Sequence, residues 1–262
     1  MEFYKYTGAG NDFILINNYN GELPDLSEKQ ISFLCNRRFG IGADGIMILK
    51  KHPDFDFEME YFNSDGSGGT MCGNGGRCIV AFARKTGLIN NYAKFLASDG
   101  IHEAYILNDN IVKLKIIDVK KIEKISSDYT CYTGSPHYIR FCSNIGSSNV
   151  YKEGQKVRFS DKFKNDGINV NFIEILRDNV LKIRTYERGV ENETLACGTG
   201  AVASALTYAE INNLKSGEII LNAKGGRLVV NFEKKNNGFE NIWLSGPADF
   251  VFKGIINLPV NI

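Results

Sequence analysis

Hydrophobic and polar residues alternate along most of this chain, the pattern of short strands buried on one face. Phe57, Met59 and Tyr61 alternate with Asp56, Glu58 and Glu60 across 55–61. Val112, Leu114 and Ile116 share one face of 111–117. The run NFIEILRDNVLKIRTYE (171–187) predicts a hairpin turning at Asp178-Asn179. The run from Gly217 to Gly246 predicts three more strands, broken at Gly225-Gly226 and at Asn236-Asn237-Gly238. Three stretches carry a helical period instead. Residues 27–38 open with Ser27 and Gln30 at capping-box spacing and set Ile31, Leu34 and Cys35 on one face. The other two, Gly75–Lys85 and Gly200–Asn212, are apolar nearly all round, through Cys78–Ala83 and Ala201–Leu206. A helix without a polar face must be enclosed on every side, so sheets are expected to wrap around each of them.

These two helices expose an internal repeat. Thr70-Met71-Cys72-Gly73-Asn74-Gly75 precedes one, and Thr194-Leu195-Ala196-Cys197-Gly198-Thr199-Gly200 precedes the other. The pattern Cys-Gly-(Asn/Thr)-Gly recurs at an offset of 197 − 72 = 125, close to half of the 262 residues. The expected fold class is therefore α/β (α+β): two similar domains, each a mostly antiparallel or mixed sheet closed around a central helix. The expected lobes are residues 1–117 and 118–249, with a strand at 250–262 returning to the first lobe.

The first turn of a helix presents backbone N–H groups without intrahelical partners, at the positive end of the dipole. A thiol placed there ionises more easily than a free cysteine, and flanking glycines let the N–H groups close on a small anion such as a carboxylate. Cys72 and Cys197 are thus candidate acid/base thiols, each beside a carboxylate nest. Two thiols on opposite sides of one carbon suit the inversion of an amino-acid α-carbon, because one removes a proton from one face while the other delivers a proton to the opposite face. Cys35, Cys78, Cys131 and Cys142 lack such a setting and are read as small buried hydrophobes. Neither glycine-rich turn carries the Walker lysine of a phosphate loop. His52 and His102 are read as surface residues. His137, in Gly134-Ser135-Pro136-His137, is read as lying in a tight turn, with function and plain structure both open.

Composition narrows the classes further. With 43% hydrophobic residues, 17 Phe and 12 Tyr, the chain is globular and not disordered. A net charge of +1 argues against a nucleic-acid partner. No apolar run approaches the ~20 residues of a membrane span. The six cysteines are never spaced as CxxC, and the segment MEFYKYTGAGNDF has no signal-like pattern. Reduced thiols in a cytoplasmic protein are expected. No metal-ligand cluster and no lysine context for a pyridoxal cofactor is visible.

Nine segments in order resemble the diaminopimelate epimerase family: GAGNDF (8–13), RRFGIGADG (37–45), FNSDGS (62–67), MCGNGGRC (71–78), GSPH (134–137), GINVNF (167–172), TYERG (185–189), ETLACGTGA (193–201) and GPA (246–248). The resemblance implies a cofactor-independent isomerase that interconverts LL- and meso-2,6-diaminopimelate, with its site in a cleft between two related domains. It implies that Cys72 and Cys197 are the acid/base thiols and that His137 and Glu187 help to set their protonation. Gly73, Asn74, Gly198 and Thr199 match the nests for the carboxylate at the reacting centre. Asn11, Asn63, Asn169, Glu187 and Arg188 match positions that hold substrate, where Arg can grip the distal carboxylate in a fork and Asn and Glu can hold the ammonium. Members of the family are often homodimers; this sequence carries no interface signature.

Two features depart from the family pattern. The loop Gly189-Val190-Glu191-Asn192 is one residue longer than the common form, which leaves roles for Glu191 and Asn192 open. Ser135 stands where some members have Asn. The competing readings are a two-thiol racemase of the proline or hydroxyproline kind, a phenazine-type isomerase, and a thiol redox or binding protein. The distal-end set Asn63, Asn169 and Arg188 argues against the first, and the paired cysteines argue against the second.

Overall fold

The computed structural model describes residues 1–69, 71–108, 110–236 and 238–258. Thr70, the Asn237 position of the predicted turn and the last four positions of the expected 250–262 strand lie outside the described residues. The chain divides into two units, Met1–Leu114 with Gly246–Ile262, and Lys115–Ser245.

In the first unit, strands β1 (Glu2–Gly8) and β2 (Asn11–Asn18) are followed by helix α1 (Glu28–Cys35) and by β3 (Gly45–Lys50) and β4 (Phe57–Asn63). Helix α2 (Gly73–Lys85) then leads to β5 (Tyr92–Ala97), β6 (Gly100–Ile106) and β7 (Ile111–Lys115). The second unit runs β8 (Ile122–Ile125), β9 (Asp128–Tyr132), β10 (Pro136–Phe141), α3 (Val150–Arg158), β11 (Asn169–Arg177) and β12 (Val180–Glu187). It continues with β13 (Asn192–Thr194), α4 (Gly198–Ile211), β14 (Ser216–Ala223), β15 (Gly226–Lys235) and β16 (Gly238–Pro247). The chain then returns to the first unit as β17 (Asp249–Ile255), antiparallel to β1.

Strand pairing makes the repeat explicit. From β17 through β1, β2, β3, β4, β5 and β6 to β7, successive pairs are antiparallel, antiparallel, parallel, antiparallel, parallel, antiparallel and antiparallel. The path β8, β9, β10, β11, β12, β14, β15, β16 repeats that sequence of senses without exception. In both units a helix bridges each parallel step, as a parallel crossover requires: α1 and α3 the first, α2 and α4 the second.

Each sheet is covered on both faces. Helix α2 packs on β1, β2, β3, β6 and β17, and α4 on β9, β10, β11, β14 and β15. Contact with so many strands of one sheet means that the sheet curls around its helix. On the other face α1 closes a cluster of Phe3, Ile14, Ile16, Ile31, Leu34, Ile46 and Ile48, and α3 closes one of Tyr138, Ile145, Val150, Val170, Phe172 and Tyr186. Burial on both sides explains the continuous apolar runs Phe13–Ile16 and Ile46–Leu49.

Most of the predicted elements form. Ser27 and Gln30 make the capping box of α1, and the chain reverses between β11 and β12 at Asn179, where φ is +58°. Three differences are informative. Helix α3 carries no predicted signature, because its only buried residues are Val150 and Gly154. A Cβ on Gly154 would stand 2.4 Å from Tyr186, so an apolar side chain has no room there. Helices α2 and α4 each begin two residues earlier than predicted, at Gly73 and Gly198. Packing overrides the poor helix propensity of glycine, and Cys72 and Cys197 thereby become the N-caps. Finally, His137 is not in a turn; it is the second residue of β10 and is fully buried. Among the described residues no helix is long and apolar enough to cross a membrane.

Leu206 lies at the centre of α4 with no solvent exposure. Leu206→Ala should cost about 2–5 kcal/mol, the usual range for truncating a fully buried leucine. Urea denaturation of the two proteins checks this.

Candidate active site

Both glycine-rich turns build the same local structure. Cys72 has extended backbone angles (φ −94°, ψ 132°), and its carbonyl accepts the first helical bond from Gly76 N at 2.7 Å. Cys197 is likewise extended (φ −119°, ψ 113°), and its carbonyl accepts from Ala201 N at 2.9 Å. Neither cysteine closes its helix with a side-chain bond. At a helix N-cap the first N–H groups and the positive dipole end lie beside the side chain. The third helical position is closely packed in both. A Cβ on Gly75 would stand 2.0 Å from Met47, and one on Gly200 would stand 2.4 Å from Asn171 Oδ1. Here the repeat has a steric cause: strand side chains press directly on the helix mouth.

In the first unit a chain of polar contacts leads away from this mouth. Asn74 Nδ2 donates to Asn11 Oδ1 at 2.6 Å, and Asn11 Nδ2 donates to Asp44 Oδ2 at 2.9 Å. Arg37 bridges Asp44 to Asp12, which it grips in a fork at 2.9 and 2.6 Å. Lys5 completes the group at 2.7 Å from Asp12. Burial alone would raise the Asp12 pKa, but the bonds from Arg37 and Lys5 hold it below the usual carboxylate value. Asn11 is thus fixed at the mouth of α2 by Asn74 on one side and Asp44 on the other. Asn63, at the end of β4, turns into its own loop and donates to Ser67 Oγ at 3.1 Å.

The second mouth uses a different set. Asn171 is fully buried on β11 and donates from Nδ2 to Tyr138 O and towards His137 Nδ1, both at 3.1 Å. Its Oδ1 accepts from Thr185 Oγ1 at 2.9 Å, and the Tyr138 carbonyl, which can only accept, fixes the orientation of the amide. His137 Nδ1 is therefore an acceptor, and Nε2–H donates to Thr199 Oγ1 at 3.0 Å. The Thr199 hydroxyl also lies 3.5 Å from Cys197 Sγ, a contact in which either group can donate. Complete burial depresses the His137 pKa to about 3, and the charge of Arg188 acts in the same direction. His137 is therefore a neutral donor that reaches the sulfur through Thr199.

The expected substrate-holding residues of this unit sit at strand ends. Asn169, the first residue of β11, donates to Ser135 Oγ at 2.9 Å and accepts from Arg188 N at 2.9 Å. Ser135 is thus a partner of Asn169. Glu187 accepts from Thr194 Oγ1 at 2.9 Å. The Arg188 guanidinium is exposed and donates to Asp166 O at 2.9 Å. In the longer loop Glu191 takes a left-handed conformation (φ +53°) and receives bonds from Arg158 and Tyr186, so it is tied into the fold. Asn192 accepts from the backbone N–H of Glu193.

Sequence reasoning missed Arg77, Asp44, Asn171 and Thr185. The available signal was polarity at positions that pattern alone makes core: Asn171 within a strand and Arg77 within an enclosed helix. His102 also differs from its surface assignment. Its side chain is 11% exposed, pairs with Asp99 at 3.0 Å and packs beside Phe95.

The state of His137 sets a pH dependence. Its folded pKa lies below the unfolded value of 6.5, so the unfolded chain binds the extra proton. Stability is then complete above about pH 6.5 and falls as the pH drops towards about 3. The loss between pH 6.5 and pH 4.5 should be on the order of 2 kcal/mol. Urea melts across this range should show that slope in the wild type and a shallower one in His137→Gln.

Comparison with known proteins bears on the whole chain. The family described as Diaminopimelate epimerase matches residues 3–119 and 129–251. A diaminopimelate epimerase of Flavobacterium psychrophilum is 46% identical over 256 residues, covering 98% of this chain and 100% of that protein. One of Chlorobaculum tepidum is 41% identical, covering 96% of this chain and 100% of that protein. Among solved structures, a phenazine biosynthesis protein of the PhzF family from Bacillus anthracis superposes with a TM-score of 0.77 at 16% identity, covering 98% of this chain and 99% of that one. A probable proline racemase from Agrobacterium radiobacter superposes at 0.70 with 13% identity, covering 98% and 93%. At such identities the structural likeness speaks for the fold alone. The sequence matches go further, and on them the chain belongs to the diaminopimelate epimerase family.

Proposed function

We propose that this protein is a cofactor-independent amino-acid epimerase that interconverts LL- and meso-2,6-diaminopimelate, an isomerase of lysine and peptidoglycan precursor synthesis. The observation that carries the reading is the duplicated cysteine N-cap on two enclosed helices, in a chain that belongs to this family.

The chemistry follows from that feature. An α-proton is weakly acidic because its removal places charge on the adjacent carboxylate. The N–H groups of Gly73 and Asn74 and of Gly198 and Thr199 are suited to receive that charge, as preorganised donors do at an oxyanion. A thiolate at one cysteine takes the proton, and the thiol of the other protonates the carbon from the opposite face. Afterwards the first sulfur carries the proton and the second the charge, so the enzyme is ready for the reverse direction. Such a pair titrates as a unit, and a bell-shaped rate profile reports the pair and not either residue alone.

The other residues of the proposed site have matching chemistry. His137 supports the Cys197 side through Thr199. Glu187, Arg188, Asn11, Asn63 and Asn169 are assigned to the substrate's second amino-acid end, whose carboxylate and ammonium need a fork of donors and a set of acceptors. A cytoplasmic location and a homodimeric state complete the proposal.

Assay of the purified protein in heavy water tests it. LL-diaminopimelate should become the meso form and acquire deuterium at the α-carbon, while proline remains unchanged. Cys72→Ala and Cys197→Ala should each lower epimerisation by about a hundredfold or more, the scale of a lost acid/base group. Full activity in either variant would overturn the two-thiol scheme, and turnover of proline would favour the racemase reading.

A further inference from the structure

Among the described residues Arg77 is a buried cation without a carboxylate partner. Its side chain is 0% exposed, and its guanidinium bonds to neutral oxygens: Pro247 O at 3.3 Å, Gly73 O at 3.1 Å and Asn74 Oδ1 at 2.8 Å. Burial lowers its pKa, and the thiols of Cys78 and Cys72 act in the opposite direction. A guanidinium stays charged in proteins, and a buried charge ordinarily requires a counter-charge. Cys78 cannot supply one, because burial pushes its thiol up to about 12. Cys72 remains. The Arg77 side chain folds back along α2 to the carbonyl of Gly73, the residue after Cys72. It therefore adds a full positive charge to the partial charge of the helix end.

The repeat supplies the contrast. The offset of 125 places Val202, also fully buried, where the first unit has Arg77. Around the second mouth Thr199 and His137 are neutral; the Arg188 guanidinium, whose charge acts on His137, is exposed and donates to Asp166 O.

We propose that Arg77 is a positioning residue that decides which thiol is ionised at rest: its charge holds Cys72 as the thiolate, and Cys197, with Val202 in the equivalent place, keeps the proton. This inference rests on the two-thiol reading. The other charged groups on the elements packed against α2 are mostly occupied among themselves. Lys5 on β1 pairs with Asp12 on β2, and Lys50 on β3 with Glu60. His102 on β6 pairs with Asp99, whose carboxylate also receives the Met71 N–H. On β17 Asp249 accepts from Asn110, and Lys253 pairs with Glu2. Tyr6 on β1 is held neutral by burial. Asp99 and Asp249 oppose the effect of Arg77, but both are partnered, whereas the acceptors of Arg77 among the described residues are neutral oxygens.

Thiolate absorbance measured against pH tests this. Cys35, Cys78 and Cys131 are pushed up to about 12 by burial, and Cys142 is also raised, so they stay silent in the useful range. Cys197→Ser isolates the titration of Cys72, and Cys72→Ser isolates that of Cys197. Cys72 should ionise at least about one pH unit below Cys197. Adding Arg77→Met to Cys197→Ser should raise the Cys72 midpoint by about one unit or more, and Arg77→Lys should restore most of it. A merely structural arginine would lower the melting temperature and leave the midpoint in place. Equal or reversed midpoints in the two single variants overturn the proposal even if Arg77→Met does not fold, as does an unmoved midpoint in a folded Arg77→Met. Failure of the two-thiol reading is separate: it would appear as epimerisation surviving in Cys72→Ala or Cys197→Ala while the Cys72 titration still responds to Arg77.

Discussion

A helix enclosed by its own sheet has no solvent-facing side, so the N–H groups of its first turn are where the interior must meet polar chemistry. This constraint organises both units. In each, the sheet curls around one apolar helix, α2 or α4, and the residue at that helix's N-cap is a cysteine. The glycines beside it follow from the same enclosure. Met47 packs on Gly75 and Asn171 on Gly200, so the turn that exposes the backbone donors is also the turn that strand side chains approach most closely.

Around this shared device the two mouths have diverged in their electrostatics. The first is backed by a buried guanidinium and by a network through Asn74, Asn11 and Asp44 that ends on Arg37 and Lys5. At the second, the side chains that lead to the sulfur are neutral, and the charge of the exposed Arg188 acts on His137. Asn171 fixes the His137 tautomer, His137 orients the Thr199 hydroxyl, and that hydroxyl faces Cys197. A two-base inversion needs one sulfur charged and the other protonated at the start, and unequal surroundings for chemically identical groups are the direct way to obtain that.

Legibility in the sequence followed the strength of local patterning. The Ser27–Gln30 cap, the reversal at Asp178-Asn179 and the alternation of 57–61 depend on neighbours a few residues apart, and they could be read directly. Helix α3 could not, because its contact with the sheet is made through Gly154 and Val150 and leaves little apolar trace. The starts of α2 and α4 were displaced by two residues because glycine disfavours helix locally while burial of the whole helix favours it, and burial outweighs the local preference. At the site, both cysteines and their glycines were visible from the repeated pattern. Arg77, Asp44 and Asn171 were not, since a polar residue amid apolar neighbours does not reveal which partner satisfies it.

By itself, then, the amino-acid sequence determined the two enclosed helices, the duplicated Cys-Gly context and the family, because these are properties of order and spacing along the chain. Only the tertiary structure decided that the cysteines are N-caps, that His137 is a buried neutral strand residue, and that the Arg77 cation is bonded to neutral oxygens. Those outcomes depend on which atoms distant segments bring together and on how completely water is excluded from them, and neither quantity is written in local sequence.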